Sequence, residues 1–283
     1  MRLLVSVTRE EEVEAAVCGG TDIVDVKNPA EGALGAAGPG CIARIRTATP
    51  AALPVSAALG DAPMLPGTMA LAALGAASCG ADYVKVGLYG PGDAAAAEDL
   101  LRAICLAVRE RFPTTQIIAA GYADAGEWGA ITPGDLPGVA ARAGVDGCML
   151  DTFAKDGRSL FDILDASLVG DFVKQCRDMK MESALAGSLS LADIPRILAL
   201  GPNIVGVRSA VCGGDRAGGR VDAWAVARFK VALAGPNPAS VLAGQQSDIS
   251  AGTVDRDMLN VLAGRKPSKA TIVKGYVNQA EQS

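Results

Sequence analysis

The segment "DIVDVKNPAEGALG", residues 22–35, starts as a short apolar strand and ends in a loop broken by Pro and Gly. Ile23, Val24 and Val26 show none of the polar alternation of a half-exposed strand, so the pattern is that of a parallel strand covered on both faces. Asp25 and Lys27 nevertheless stand two residues apart, and side chains two apart share a face. An unpaired ammonium buried there costs several kcal/mol or shifts its pKa. Such a lysine needs a partner or a chemical task.

Working outward, the same kind of strand recurs. "LLVSV" (3–7) precedes it, and "PVSAAL" (54–59), "DYVKVGL" (82–88) and "QIIAAGY" (116–122) follow. "DGCMLDT" (146–152), "ESALAGS" (182–188) and "IVGVRS" (204–209) complete the set. Between them lie helical patterns such as "PGTMALAALGAASCG" and "DAAAAEDLLRAICLAVRERF". Several end at "CGGTD", "SCGAD" or "RAGVD", a glycine stop followed by an aspartate before the next strand. That punctuation reads as structural. Eight strands alternating with helices predict a (β/α)8 TIM barrel over residues 1–234. The alternative, a doubly wound open sheet, normally carries a glycine-rich phosphate loop after its first strand, and "LLVSVTREEE" has none. From about residue 235 the chain turns Pro-, Gly- and Ser-rich, so 235–283 reads as a partly ordered C-terminal extension without an assigned role.

Composition excludes several function classes. The 283 residues carry a net charge of -5 with 4% aromatics and no basic cluster, which argues against nucleic-acid binding. No apolar run approaches the ~20 residues of a membrane span, and the N-terminal residues turn acidic where a signal peptide would stay apolar. The expectation is a cytoplasmic protein with no membrane or nucleic-acid partner; a homo-oligomer is allowed. Seven cysteines are scattered singly, without a CxxC pair, and read as small buried apolar residues. The chain has no histidine. Triads based on imidazole and most catalytic zinc sites are therefore excluded, and no metal or other cofactor is expected. Proton transfer falls to Lys, Asp, Glu, Tyr or water.

Strand alternation brings the ionisable residues together. Val84 and Val86 take the helix side of their strand and leave Lys85 inside; Cys148 and Leu150 do the same for Asp151. Val205 and Val207 do so for Arg208. With Asp25 and Lys27, four strands place a charge inward at their C-terminal ends, where barrel active sites sit. Lys155, four residues after Asp151, reaches the same mouth. Each alone reads as a solvated rim residue. Together they suit one chemistry, because an ammonium near others loses its proton more easily and a neutral lysine attacks aldehydes and ketones. The loops after strands seven and eight are the customary phosphate grip of a barrel. Here Gly187, Ser188, Gly213 and Gly214 offer backbone N–H groups, with Arg208 or Arg216 adding charge. The bland alternative for Arg208 is a brace, paired with a carboxylate such as Asp215.

"DIVDVKNPAEGALGA", "DYVKVGLYG", "MLDTFAKDGRSLFD" and "ALAGSLSLADIP" resemble the (5-formylfuran-3-yl)methyl phosphate synthase family of methanofuran biosynthesis. The resemblance runs through about residue 234, while the tail beyond departs from the shorter family pattern. It implies condensation of two glyceraldehyde 3-phosphate molecules, with loss of phosphate and water, to a phosphorylated furan aldehyde. It also implies that Lys27 is the Schiff-base lysine and that Lys85, Asp151 and Lys155 are catalytic partners. Asp25, read from its position alone, is placed to steer protons. Two rivals share these residues: another lysine-dependent barrel aldolase or lyase, and a catalytically silent barrel that binds a phosphosugar.

Overall fold

The computed structural model describes residues 1–127, 129–213, 215 and 217–235. The predicted extension therefore lies outside the described residues, apart from Gly235. Eight parallel strands close in sequence order, β1 against β2 through β8 and β8 back against β1. They are β1 (Arg2–Val7), β2 (Ile23–Val26), β3 (Val55–Asp61), β4 (Tyr83–Gly87), β5 (Gln116–Tyr122), β6 (Gly147–Asp151), β7 (Glu182–Leu185) and β8 (Ile204–Val207). The helices between and after them are α1 (Val13–Cys18), α2 (Pro39–Ala48), α3 (Pro66–Ser78), α4 (Ala94–Arg111), α5 (Leu136–Ala143), α6 (Leu160–Ile163), α7 (Ala166–Asp178), α8 (Ile194–Leu200) and α9 (Ala223–Leu233). This is the TIM barrel that the strand count predicts. One difference is that the pattern "LFDILDASLVGDFVKQCRDMK" forms two helices. Ser159 and Asp162 close a capping box on α6, and the chain extends at Leu164 and Asp165 before α7 begins.

Two apolar layers follow from strand alternation. Val5, Val24, Val55, Val84, Ile117, Leu150 and Val205 point outward onto helix residues such as Ile45, Leu100, Ile104 and Phe172. Leu4, Ile23, Ile118, Met149 and Ile204 fill the lower barrel interior. Arg2, Tyr83 and Glu182 close the N-terminal end, with the guanidinium donating to both partners. The interior is thus apolar in its middle, with the Arg2–Glu182 ion pair beneath it and a second ionic layer above it at the mouth.

The Gly-X-Asp punctuation has a repeated structural use. Asp22, before β2, accepts the N–H of Leu3 in β1 and takes Lys230 from α9. Asp82, before β4, accepts from Val55 in β3 and pairs with Arg46 of α2. Asp146, before β6, accepts from Ile117 in β5 and pairs with Arg109 of α4. Asn203 takes the same place before β8, accepting from Ser183 in β7. A polar pin thus recurs at every second strand, tying the strand start to its predecessor. It sits opposite the mouth and holds the barrel register without touching the site. All seven cysteines are free, four buried and three half-buried.

Candidate active site

The three lysines and two aspartates expected at the mouth converge there. Asp25 is fully buried in β2, level with Ser6 of β1 and Ser56 of β3, and Lys27 follows at the strand end. Lys85 Nζ lies 2.7 Å from Asp25 Oδ1, with both side chains buried. The contact is ionic, without the alignment of a hydrogen bond. Ser6 Oγ donates to the other oxygen at 2.8 Å. Across the barrel, Lys155 Nζ donates to Asp151 Oδ1 at 2.8 Å and to Thr152 Oγ1 at 3.1 Å. Asp151 Oδ2 is buried without a hydrogen-bond partner among the described residues.

Two lysines are therefore matched by two aspartates, and Lys27 is the third cation. Among the described residues it has no carboxylate within ion-pair distance. Burial pushes its pKa down from 10.5 to about 8; Asp151 and Asp25 pull it back up, while Lys155 and Lys85 lower it further. Burial would raise the carboxyl of Asp151, but Lys155 and Lys27 beside it hold it down to about 2. One amine is poised to lose its proton near neutrality, and the carboxylate facing it stays charged. The rate constant for acylation of Lys27 by acetic anhydride, which needs the neutral amine, should be half-maximal near pH 8. A midpoint near the ordinary lysine value of about 10.5 would mean that the pocket leaves this ammonium unperturbed.

The mouth encloses about 460 Å³, counting space open to solvent, and its far wall is the β7 and β8 loops. Gly187 and Ser188 line it as expected, and so does Ser209, which the sequence reading passed over. Gly187 has φ 97, and a Cβ there would crowd Thr152 at 2.8 Å, so only glycine lets the β7 loop cross the β6 loop. Gly213 lies off this lining, and Gly214 and Arg216 fall outside the described residues.

Arg208 has a carboxylate partner other than the expected one. The residue lines the pocket, and both terminal nitrogens of its guanidinium donate to Glu12, at 3.1 and 3.2 Å. They also donate to the carbonyls of Ser6 and Gly219. The bracing carboxylate is Glu12, from the turn after β1, where the sequence suggested Asp215. A guanidinium so engaged is a clasp that braces the turn after β1, which is the alternative that the sequence left open beside a phosphate contact.

Three further side chains at this rim escaped the sequence reading. Asp61 ends β3, Tyr122 ends β5 and Asp124 follows it. The signal was available: "ALGDAP" and "GYADAG" place a carboxylate at the C-terminal rim just as "VDVK" does.

Comparison with known proteins agrees with the geometry. The family model described as 4-HFC-P synthase matches residues 3–230. A (5-formylfuran-3-yl)methyl phosphate synthase from Methanothermobacter thermautotrophicus is 47% identical over 234 residues, covering 82% of this chain and 99% of the relative. Its counterpart from Methanocaldococcus jannaschii is 47% identical over 231 residues, covering 81% and 98%. Among solved structures, 3-hexulose-6-phosphate synthase from Salmonella typhimurium superposes with a TM-score of 0.56 at 22% identity, covering 83% of this chain and 99% of that one. At that identity the structural likeness speaks for the barrel alone. The relatives are similar along nearly their whole length, through every strand that carries a site lysine, and the chain belongs to the 4-HFC-P synthase family.

Proposed function

We propose that this protein condenses two molecules of glyceraldehyde 3-phosphate into (5-formylfuran-3-yl)methyl phosphate, by way of an imine on Lys27. The observation that carries the reading is the odd cation: of the three site lysines, Lys27 alone has no carboxylate within ion-pair distance among the described residues, and burial lowers its pKa to about 8. The neutral amine adds to the aldehyde carbon, a C–N bond forms, and the carbonyl oxygen leaves as water. Protonated imine makes the neighbouring C–H acidic. The electron pair released there either expels phosphate or forms the carbon–carbon bond to the second aldehyde. Hydrolysis frees Lys27, and the overall balance is two triose phosphates giving the furan, one phosphate and two waters.

Asp151 Oδ2, a buried acceptor without a hydrogen-bond partner among the described residues, suits the proton removed beside the imine. The Lys85–Asp25 and Lys155–Asp151 pairs suit proton return and the charge of the departing phosphate. Ser209 and the backbone of Gly187 and Ser188 are the groups we assign to the phosphate that is retained. The product belongs to methanofuran-type cofactor synthesis, and the setting is the cytoplasm; no helix among the described residues is long and apolar enough to cross a membrane.

One experiment tests this reading. Borohydride added with glyceraldehyde 3-phosphate should leave a reduced adduct on Lys27, alongside a furan absorbance and free phosphate without borohydride. An adduct on Lys85 or Lys155 would move the nucleophile. A Lys27 adduct without furan would favour another lysine aldolase, and neither adduct nor product would favour a binding barrel. EDTA should leave turnover unchanged, since the chain has no histidine and its cysteines are dispersed. Activity lost to EDTA and restored by a divalent ion would require a metal-dependent step.

A further inference from the structure

A buried network spans the mouth between the two loops that bear Lys27 and Lys155, yet it touches neither lysine directly. Asp124 is 2% exposed and has no ion-pair partner among the described residues. Its two oxygens accept the backbone N–H groups of Phe153 (2.8 Å) and Ala154 (2.7 Å), the residues just before Lys155. Asp61 does the same for the loop that follows Lys27: Oδ2 accepts from Ala33 at 2.8 Å and Oδ1 from Leu34 at 3.1 Å. Tyr122 joins the two. Its hydroxyl donates to Asp61 Oδ1 at 2.5 Å, and its ring stands edge-on to Phe153 with centroids 5.4 Å apart. The phenol crosses β4 at Gly87, where a Cβ would collide with its oxygen. Burial and the Asp61 charge push the Tyr122 hydroxyl well above its ordinary pKa, so it remains a donor at any working pH.

We propose that Asp124 and Asp61, linked through Tyr122, are positioning residues that hold the two lysine-bearing loops in register across the mouth. The proposal rests on the reading of Lys27 and Lys155 as working groups. A carboxylate is the side chain suited to this task, since both its oxygens only accept, whereas an amide offers one acceptor and turns two donors toward the other N–H. A bare scaffolding role would need no such tie at these two loops in particular. Asp124 grips the two residues before Lys155, whose ammonium bonds Asp151, and Asp61 grips Ala33 and Leu34 in the loop that leaves Lys27.

Lys27 reports on the network because its neighbours are known: Asp25 and Lys85 from β2 and β4, Asp151 from β6 and Lys155 from the β6 loop. In Asp124→Asn one backbone N–H loses its acceptor and Lys155 swings from Asp151. Lys27 then loses a cationic neighbour and gains a less compensated carboxylate. Both changes raise the midpoint of its acylation by acetic anhydride above the wild-type value. Turnover should fall roughly 10- to 100-fold, as expected when a working group is displaced by an ångström or so. Tyr122→Phe, which keeps the ring and removes only the hydroxyl, loosens the segment after Lys27 and should move the midpoint the same way with a several-fold loss of turnover.

Thermal unfolding of each variant separates positioning from folding. If Asp124→Asn fails to fold, Tyr122→Phe decides alone. Folded variants with wild-type acylation midpoints and wild-type turnover per molecule would overturn the proposal. Wild-type protein that gives no imine with glyceraldehyde 3-phosphate, beside variants whose midpoints still move, would sink the proposed reaction and leave the positioning role standing.

Discussion

Lys27→Arg is expected to fold as the wild type does and to lose turnover by roughly four decades or more, the scale seen when a covalent nucleophile is removed. Arginine keeps the positive charge and much of the length, but stays protonated and cannot form the imine. Charge alone therefore does not rescue the reaction. Lys27→Met makes the complementary point about stability. The folded pKa of about 8 lies below the ordinary 10.5, so the unfolded chain binds the proton more tightly. The penalty is fully present below about pH 8, shrinks as pH rises, and is gone above about 10.5. It corresponds to about 3 kcal/mol against the charged form. Removing the cation leaves Asp25 with Lys85 and Asp151 with Lys155, so Lys27→Met should be inactive and more stable at neutral pH. Turnover within tenfold of wild type in Lys27→Arg would remove covalent catalysis from this position.

The barrel was legible because its signals are periodic. Apolar alternation sets which strand residues face inward, and that rule puts Asp25, Lys85 and Asp151 in the interior. The expected strand 54–59 stops short of Asp61; in the structure β3 runs to Asp61 through an irregular register beside β4. The partners of each charge were not legible. Asp25 meets Lys85 across 60 residues of sequence and a strand between them, and the Glu12–Arg208 contact spans 196. Such pairs depend on barrel closure, which no local pattern encodes. Arg208 shows the consequence: its inward direction could be read from "IVGVRS", but the competing carboxylate lay at the other end of the chain.

Arg208→Ala is expected to destabilise the protein by about 3–5 kcal/mol, a large share of the roughly 5–15 that hold a domain folded. The clasp sits where β8 meets β1, the closing seam of the barrel. Glu12 is 2% exposed and gathers Thr8 N–H at 2.7 Å, the Thr8 hydroxyl at 3.1 Å and Val221 N–H at 3.3 Å, besides the guanidinium. Burial would raise the Glu12 carboxyl, but Arg208 and Thr8 hold it below the ordinary range. Its contribution is therefore fully present above about pH 4.5 and is lost as pH falls through the depressed value. Removing the arginine leaves a buried carboxylate without its cation, and that vacancy costs more than the pair itself contributes. The double variant Arg208→Met with Glu12→Leu should recover part of the loss, because no buried charge is left unpaired, although the N–H groups of Thr8 and Val221 lose their acceptor. Urea midpoints of the single and double variants measure the coupling directly. If Arg208→Ala unfolds at the wild-type midpoint and loses only affinity for inorganic phosphate, the guanidinium serves the anion and the seam is held by other contacts.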